Sequence, residues 1–417
     1  MKFNIITLGC KVNTYESEII KENFIKEGYL ISEDAPDIMV INTCSVTNNA
    51  DAKSRKLIRK ARRDNPHCVL IVCGCTSEQH RHTLSDLSID ILIGTKDKSR
   101  VVKILNDYLL NKKKVISFCD ETLREFENMS VSKFTNQTRA FLKIQDGCNN
   151  YCSYCIIPYL RGNSRFKDYA KVLAEASILV KNGHKEIVLT GINTGSYPRL
   201  PELINELSKI KDLLRIRISS LEITQINDSF LDMLKTNDKI CNHLHIPLQS
   251  GSDKILKLMS RKYNKKYYED TISKIRVVKP DISITTDVIV GFPGEENKDF
   301  RETVDFCKKM NFSKTHVFPY SKRKGTKAVE LPNQLSQEIK KKRVKILNNN
   351  SLELEESYYK RFLGKKLEVI IEEKNADYSF GYTSNYIKVM VKGQLKENNI
   401  YKVRITEVLG NKVIGEL

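Results

Sequence analysis

Apolar and polar positions follow three rhythms along the chain. Up to residue 115, short apolar runs alternate with stretches of helical spacing. Phe3–Leu8, Asp37–Thr43, Val69–Val72 and Asp90–Ile93 read as strands, and Tyr15–Glu27 reads as a helix stopped at Gly28. Near-continuous apolar strands alternating with helices predict a small, doubly wound, parallel α/β sheet over 1–115. Residues 116–138 are rich in Glu, Asn, Ser and Thr, lose the pattern and read as a linker. A second series begins at Arg139. Its strand candidates are Ala140–Ile144, Glu186–Thr190, Arg215–Ser219, His243–Leu248, Ser283–Ile289 and Thr315–Phe318. The intervals are long enough for crossover helices such as Ala170–Lys181, with Gly183 as its stop. Six such units predict an open, partial (β/α)6 barrel over 139–355. After a basic helix, Gln337–Tyr359, the period drops to two. Leu367, Val369 and Ile371 alternate with polar neighbours, as do Ile387, Val389 and Val391, then Val403 and Ile405. This predicts a small antiparallel β-barrel of OB-like type over 356–417.

Composition narrows the class. The 417 residues are 40% hydrophobic and 29% charged, so a packed core is expected and global disorder is excluded. No apolar run approaches the ~18 residues of a membrane helix. The N-terminus lacks the apolar stretch of a signal peptide, which implies a cytoplasmic protein. Lys and Arg number 70 against 51 Asp and Glu, a net charge of +19. The excess is spread along the chain and suits a polyanion such as RNA, although a Lys-rich bias gives the same count. Two helices concentrate it. Arg59, Arg62 and Arg63 on one, and Lys341 and Arg343 on the other, are candidate phosphate contacts; the alternative is a solvated face.

Eleven cysteines in such a chain point away from disulfides and toward metal ligation. The strongest signal is Cys148-x3-Cys152-x2-Cys155, just after a predicted strand. Three thiolates can hold three irons of a 4Fe-4S cubane and leave the fourth open, which a reactive centre needs. A zinc site with a distant fourth ligand is the alternative, but zinc knuckles favour paired C-x2-C motifs. In the first domain Cys10, Cys44 and Cys75 each follow a strand, and a doubly wound sheet gathers such ends at one edge. They define a second three-thiolate site, or else three cysteines packed as small hydrophobes. Cys73 competes for the third place, but it continues the apolar strand, whereas Cys75 follows the glycine turn. Cys68, Cys73, Cys119, Cys241 and Cys307 are assigned to packing. His243 and His245 alternate on one strand and read as buried histidines or, less simply, as substrate-facing ones. Gln249 at that strand's end is the better polar candidate for a substrate pocket.

The Cys148–Cys155 triplet resembles that of the radical S-adenosylmethionine superfamily. The resemblance implies a 4Fe-4S cluster on this triplet, with S-adenosylmethionine on the open iron, and reductive cleavage to a deoxyadenosyl radical. Tyr154, Gly191, Asn193, Ser220, Glu222, Gly291 and Phe292 then become cofactor-binding candidates. Two triplets in this order, with Leu8–Asn13, Asn42–Thr47, Gly74-Cys75, Leu189–Asn193, His245–Gly251, Val290–Glu295 and Tyr320–Thr326, resemble the methylthiotransferase family over essentially the whole chain. The C-terminal module looks like a TRAM domain, an RNA-binding barrel. The family implies two 4Fe-4S clusters, S-adenosylmethionine, a sulfur source, and an electron donor such as flavodoxin or ferredoxin. The loops Thr7–Asn13 and Leu189–Gly195 look most like the branch acting on threonylcarbamoyladenosine 37 in the tRNA anticodon stem–loop. The other branches act on isopentenyladenosine or on a ribosomal-protein aspartate. A zinc-containing RNA-binding protein is the non-enzymatic alternative.

Overall fold

The structure, a computed structural model, describes residues 1–84, 87–118, 125–135 and 137–417. Cys119 lies outside them. The first unit is a six-stranded sheet ordered Leu30–Ile31, Lys2–Thr7, Ile38–Thr43, Val69–Gly74, Ile91–Ile93, Val115–Ser117, with every pair parallel. Val115–Ser117 is therefore a strand, although the sequence reading began the linker at 116. It is a three-residue edge strand with Ile116 half exposed, too short to show a period. Chain direction across the sheet reverses between Lys2–Thr7 and Ile38–Thr43. A doubly wound sheet opens its ligand crevice at the carboxyl ends of the strands flanking such a reversal.

The central unit carries the six expected strands, each within three residues of its predicted bounds. Arg139–Lys143, Glu186–Thr190 and Arg215–Ile218 pair in parallel, as do His243–His245, Ser283–Val290 and Lys314–Pro319. A parallel bridge from Ile216 to Ile240 joins the two halves. Among the described residues nothing pairs the first strand with the last, so the barrel is open. Side chains cap its helices: Asp168 accepts from the Lys171 N–H, Asn227 from Phe230 and Asn264 from Tyr267. The basic helix Gln337–Lys360, capped by Ser336, lies beside the last strand and runs unbroken through residue 355.

The C-terminal strands Lys366–Lys374, Tyr378–Thr383, Lys388–Lys392, Ile400–Leu409 and Lys412–Glu416 close into a barrel. Four pairings are antiparallel, but Lys388–Lys392 pairs with Lys412–Glu416 in parallel. The module is thus OB-like and not wholly antiparallel. None of the helices among the described residues is long and apolar enough to cross a membrane.

Candidate active site

The first five strands of the central unit each deliver a candidate residue past their carboxyl ends, where parallel α/β barrels place their chemistry. Gly147 starts the cysteine loop at φ +71, and a Cβ there would sit 2.1 Å from the Asn163 carbonyl oxygen. Only glycine fits. The loop is then pinned by Cys148 N–H to Gly162 O (3.1 Å), Cys155 N–H to Cys152 O (3.0 Å) and Ser153 N–H to Met259 O (3.1 Å). Arg261 donates to Cys152 Sγ at 3.2 Å and pairs with Glu222, while its guanidinium lies over the Tyr263 ring. Glu222, a cofactor-binding candidate by resemblance, has Arg261 as its partner in the structure. Arg261 itself was missed, because one arginine among so many basic residues carries no spacing signal.

The remaining cofactor candidates ring this loop. The Tyr154 ring meets the buried Phe292 ring edge-on, 6.4 Å between centroids. Glu295 accepts from the N–H groups of Gly291 and Phe292, and so fixes that turn. Gly191 packs against Gln145, whose side chain accepts from Asn193 N–H at 2.7 Å. Ser220 follows the strand Arg215–Ile218 and is partly exposed. Gln249 sits at φ +67, a left-handed conformation that a non-glycine residue holds only when its surroundings fix it. It lines a pocket of about 240 Å³ with Tyr154, Cys155, Asp287 and Tyr320. The opposite wall of that pocket is Val46 and Thr47, from the first unit.

Those two residues follow Cys44, and the first-unit cysteines do gather. Cys10 is the N-cap of Lys11–Lys26, Cys44 follows Ile38–Thr43, and Cys75 begins Cys75–Gln79. A Cβ on Gly9 would lie 2.9 Å from Cys44 Sγ, so the backbone preceding Cys10 passes directly over that sulfur. Cys44 and Cys75 each lie within electrostatic reach of Cys10. Asn13 staples the strand ends together, donating to Leu8 O (2.7 Å) and Thr43 O (2.9 Å). Cys73 lies within its strand, fully buried in the aliphatic core. Cys75 packs in one cluster with Ile156, the neighbour of Cys155, so the first-unit cysteines lie beside the loop of the second triplet.

Among the described residues no three Cys, His, Asp or Glu side chains converge on one metal-ion position. A cubane makes a different demand, since its thiolates sit on separate irons. The ten described cysteines are free. Burial pushes the Cys44 thiol up to about 11 and the Cys155 thiol up to about 12, and raises Cys75 and Cys148 as well. Such thiols become thiolates when a metal or cation compensates the charge. The compensation is built in. Beneath the first triplet Lys98, Lys143, Arg161 and Arg165 are buried, and among the described residues Glu16 and Asp146 are the two carboxylates that pair with them. Burial alone would raise both acids, but these cations overcome it and hold both well below the carboxylate range. The cations' surplus faces Cys44 and Cys75. An anionic three-thiolate cluster fits that surplus.

A further bridge closes the site. Arg323, in the segment Tyr320–Thr326, reaches Asn48 Oδ1 (2.7 Å), Ser45 Oγ (3.1 Å) and Gln79 in the first unit. The basic helices divide. Arg59, Arg63 and Lys341 are exposed. Arg62 instead donates to the carbonyls of Cys68 (2.8 Å) and Ser88 (2.7 Å) and pairs with Asp90. Arg343 is buried against Glu295, at 3.1 Å, and over the Phe300 ring. These two arginines are structural and are withdrawn as phosphate contacts; a run of charge does not show which member faces inward.

An open parallel barrel with a three-cysteine loop at its carboxyl edge defines a radical S-adenosylmethionine enzyme, and the superfamily model matches residues 142–307. Residues 2–94 match a second model, described as "Uncharacterized protein family UPF0004". The chain belongs to the radical S-adenosylmethionine methylthiotransferases. It is 42% identical to the threonylcarbamoyladenosine tRNA methylthiotransferase MtaB of Bacillus subtilis (strain 168), over 97% of this chain and 92% of that protein. It is 38% identical to the protein of the same name from Aquifex aeolicus (strain VF5), over 97% of this chain and all of the other. A tRNA-2-methylthio-N(6)-dimethylallyladenosine synthase of Lachnoclostridium phytofermentans is 34% identical over 100% of this chain and 95% of its own. Among solved structures, the radical S-adenosylmethionine methyltransferase TsrM from Kitasatospora setae superposes with a TM-score of 0.56 at 14% identity, over 76% of this chain and 74% of that one. That likeness is one of fold.

Proposed function

We propose that this enzyme places a methylthio group on C2 of N6-threonylcarbamoyladenosine at position 37 of tRNA. The observation that carries the reading is the shared pocket: Val46 and Thr47, beside one cysteine triplet, face Tyr154 and Cys155 of the other across about 240 Å³. Cys148, Cys152 and Cys155 would hold the radical cluster and S-adenosylmethionine; Cys10, Cys44 and Cys75 would hold a second 4Fe-4S cluster. When bound, these groups supply one-electron sulfonium cleavage and sulfur transfer, which an unactivated aromatic C–H bond requires because acid–base routes fail near neutral pH.

The chain's own contribution is position and exclusion of water. Tyr154, backed by the buried Phe292 ring, offers an apolar wall suited to adenine. Gln249 and Asp287 present polar groups to the pocket floor. Arg261, by donating to Cys152 Sγ, orients that ligand and offsets its charge. Arg323 holds the two units at one spacing, so that carbon and sulfur meet in the same pocket.

The net charge of +19 and the OB-like barrel support an RNA substrate, with Arg59, Arg63 and Lys341 as exposed phosphate contacts on the anticodon stem–loop. A low-potential donor of flavodoxin or ferredoxin type and a separate sulfur source complete the reaction, which we place in the cytoplasm with its tRNA. Iron and sulfide analysis tests the cofactor assignment. The reconstituted protein should hold about eight irons per chain, the content of two cubanes. Replacing either triplet by alanine should remove about half. Retention of all iron after loss of Cys10, Cys44 and Cys75 would overturn the second site.

A further inference from the structure

Parallel barrels ordinarily fill their interior with branched aliphatic side chains. This one does not. In Arg215-Ile216-Arg217-Ile218, His243-Leu244-His245 and Ser283-Ile284-Thr285 the apolar members pack outward into the core. The polar members face inward. Arg215 and Arg217 are taken up by Glu186, while His243, His245, Ser283 and Thr285 line a cavity of about 450 Å³ that Tyr382 and Tyr386 of the C-terminal barrel and Lys11 of the first unit also line. All three parts of the chain contribute to it.

The cavity adjoins the proposed reaction pocket. His245, in its wall, pairs at 3.3 Å with Asp287, which lines that pocket. Same-face residues two apart on a strand lie ~7 Å from one another, so the cavity begins about one rung deeper than the pocket.

Its chemistry is cationic and incompletely matched. The Lys11 ammonium forms no ion pair among the described residues, and the charges nearest to it include Arg139 and Arg217. Both guanidiniums lie over the Tyr386 ring, at 5.4 and 4.6 Å, and their own carboxylate partners are Glu372 and Glu186. Lys314, also in the wall, is already matched by Glu355. His243 is 5% exposed; its Nε2 meets Thr285 Oγ1 at 3.0 Å, but its Nδ1 has no hydrogen-bond partner among the described residues. A half-buried cation without an ion pair and a buried imidazole nitrogen without a hydrogen bond, both among the described residues, mark a place for an anionic acceptor.

We propose that this cavity receives the N6 substituent of the target adenosine and that Lys11, with His243, binds its carboxylate. The proposal rests on the function given above and deepens it. A carboxylate-bearing, hydroxylated substituent satisfies these donors. A branched alkyl substituent would bury them unpaired, the situation in which hydrogen-bonding pockets discriminate most strongly.

The test uses the cluster-loaded full chain and anticodon stem–loop oligonucleotides carrying threonylcarbamoyladenosine, its carboxyl methyl ester, isopentenyladenosine or adenosine at position 37. Binding is read by fluorescence anisotropy and product by nucleoside mass spectrometry. Wild type should bind the free acid about 10- to 100-fold more tightly than the ester, the range of one charge-assisted hydrogen bond. Lys11→Met should lose that preference while binding the ester and the adenosine oligonucleotide as wild type does. Lys11→Arg should restore part of it. His243→Phe, which keeps a ring against Tyr386, should weaken acid binding several-fold and leave the ester unaffected. An acid-over-ester preference that survives in Lys11→Met overturns the site. So does its absence in wild type. If wild type methylthiolates the isopentenyl oligonucleotide and not the threonylcarbamoyl one, the function itself fails, and the site with it.

Discussion

Glu16 is the residue whose loss should do most damage for least change in shape. Its carboxylate is fully buried. It accepts from Lys98, from Lys143 at 2.7 Å and from Arg161 at 2.9 Å. Glu16 and Lys98 belong to the first unit and Lys143 and Arg161 to the central one, so the carboxylate joins the two. Glu16→Gln keeps the volume and opens no cavity. Among the described residues it leaves Lys143, Arg161 and Arg165 with Asp146 as their paired carboxylate and Lys98 with none. Breaking a buried pair from one side costs about 3–5 kcal/mol. Taking ~4 kcal/mol, at 1.4 kcal/mol per decade, the open population of the first unit rises by about three decades. Native-state hydrogen exchange on the amides of Ile38–Thr43 reads this directly. The pH dependence has a defined sign. Because the folded Glu16 carboxyl is held below its ordinary value, its stabilisation is complete above the ordinary Glu value of about 4.3 and is lost as pH falls below it. Between pH 7 and pH 3, wild type should therefore lose stability that Glu16→Gln has already lost. A cost under ~1 kcal/mol at pH 7, or parallel pH curves, would refute the reasoning, since it would mean that the surplus cations are solvated.

Three more outcomes follow from the geometry. Arg261→Gln removes the donor to Cys152 Sγ and should lower the radical cluster's midpoint potential by an amount on the order of tens of millivolts, because hydrogen bonds to cluster sulfurs raise potentials; an EPR-monitored titration with no shift contradicts this. Cys73→Ala should cost about 1–3 kcal/mol in urea unfolding and leave iron content unchanged, whereas Cys75→Ala should lose the first-unit cluster. Arg59→Gln with Arg63→Gln should weaken tRNA binding and lower the salt-dependence slope by up to about 2, whereas Arg343→Gln should lower thermal stability and leave the slope unaltered.

Most of the central strands were legible because they alternate or run apolar up to a glycine, serine or proline, as at Gly191, Ser219, Gly291 and Pro319. Their carboxyl ends were therefore fixed, and with them the edge that gathers both cysteine triplets. Cys73 and Cys75 could be told apart for the same reason: one continues a strand and the other follows Gly74, whose φ of +102 ends it. What sequence hides is contact at long separation. Glu16 meets Arg161 across 145 positions, and Arg323 meets Ser45 across 278. No local pattern announces either pair. Charge runs mislead in the other direction. Arg62 and Arg343 look like their exposed neighbours, yet one closes a helix end and the other is buried under Glu295. The polar lining of the barrel was visible as alternation in His243–His245, but only the fold shows that this face borders a cavity and not a packed core.

The central claim is that two cysteine triplets act on one adenosine. Nucleoside mass spectrometry of tRNA from a bacterial strain lacking its own methylthiotransferases, expressing this chain, tests it most directly. The account predicts 2-methylthio-N6-threonylcarbamoyladenosine with the wild type and its loss in both Cys148→Ala and Cys44→Ala. Methylthiolated product that persists in Cys44→Ala, or that forms only on isopentenyladenosine, would contradict it.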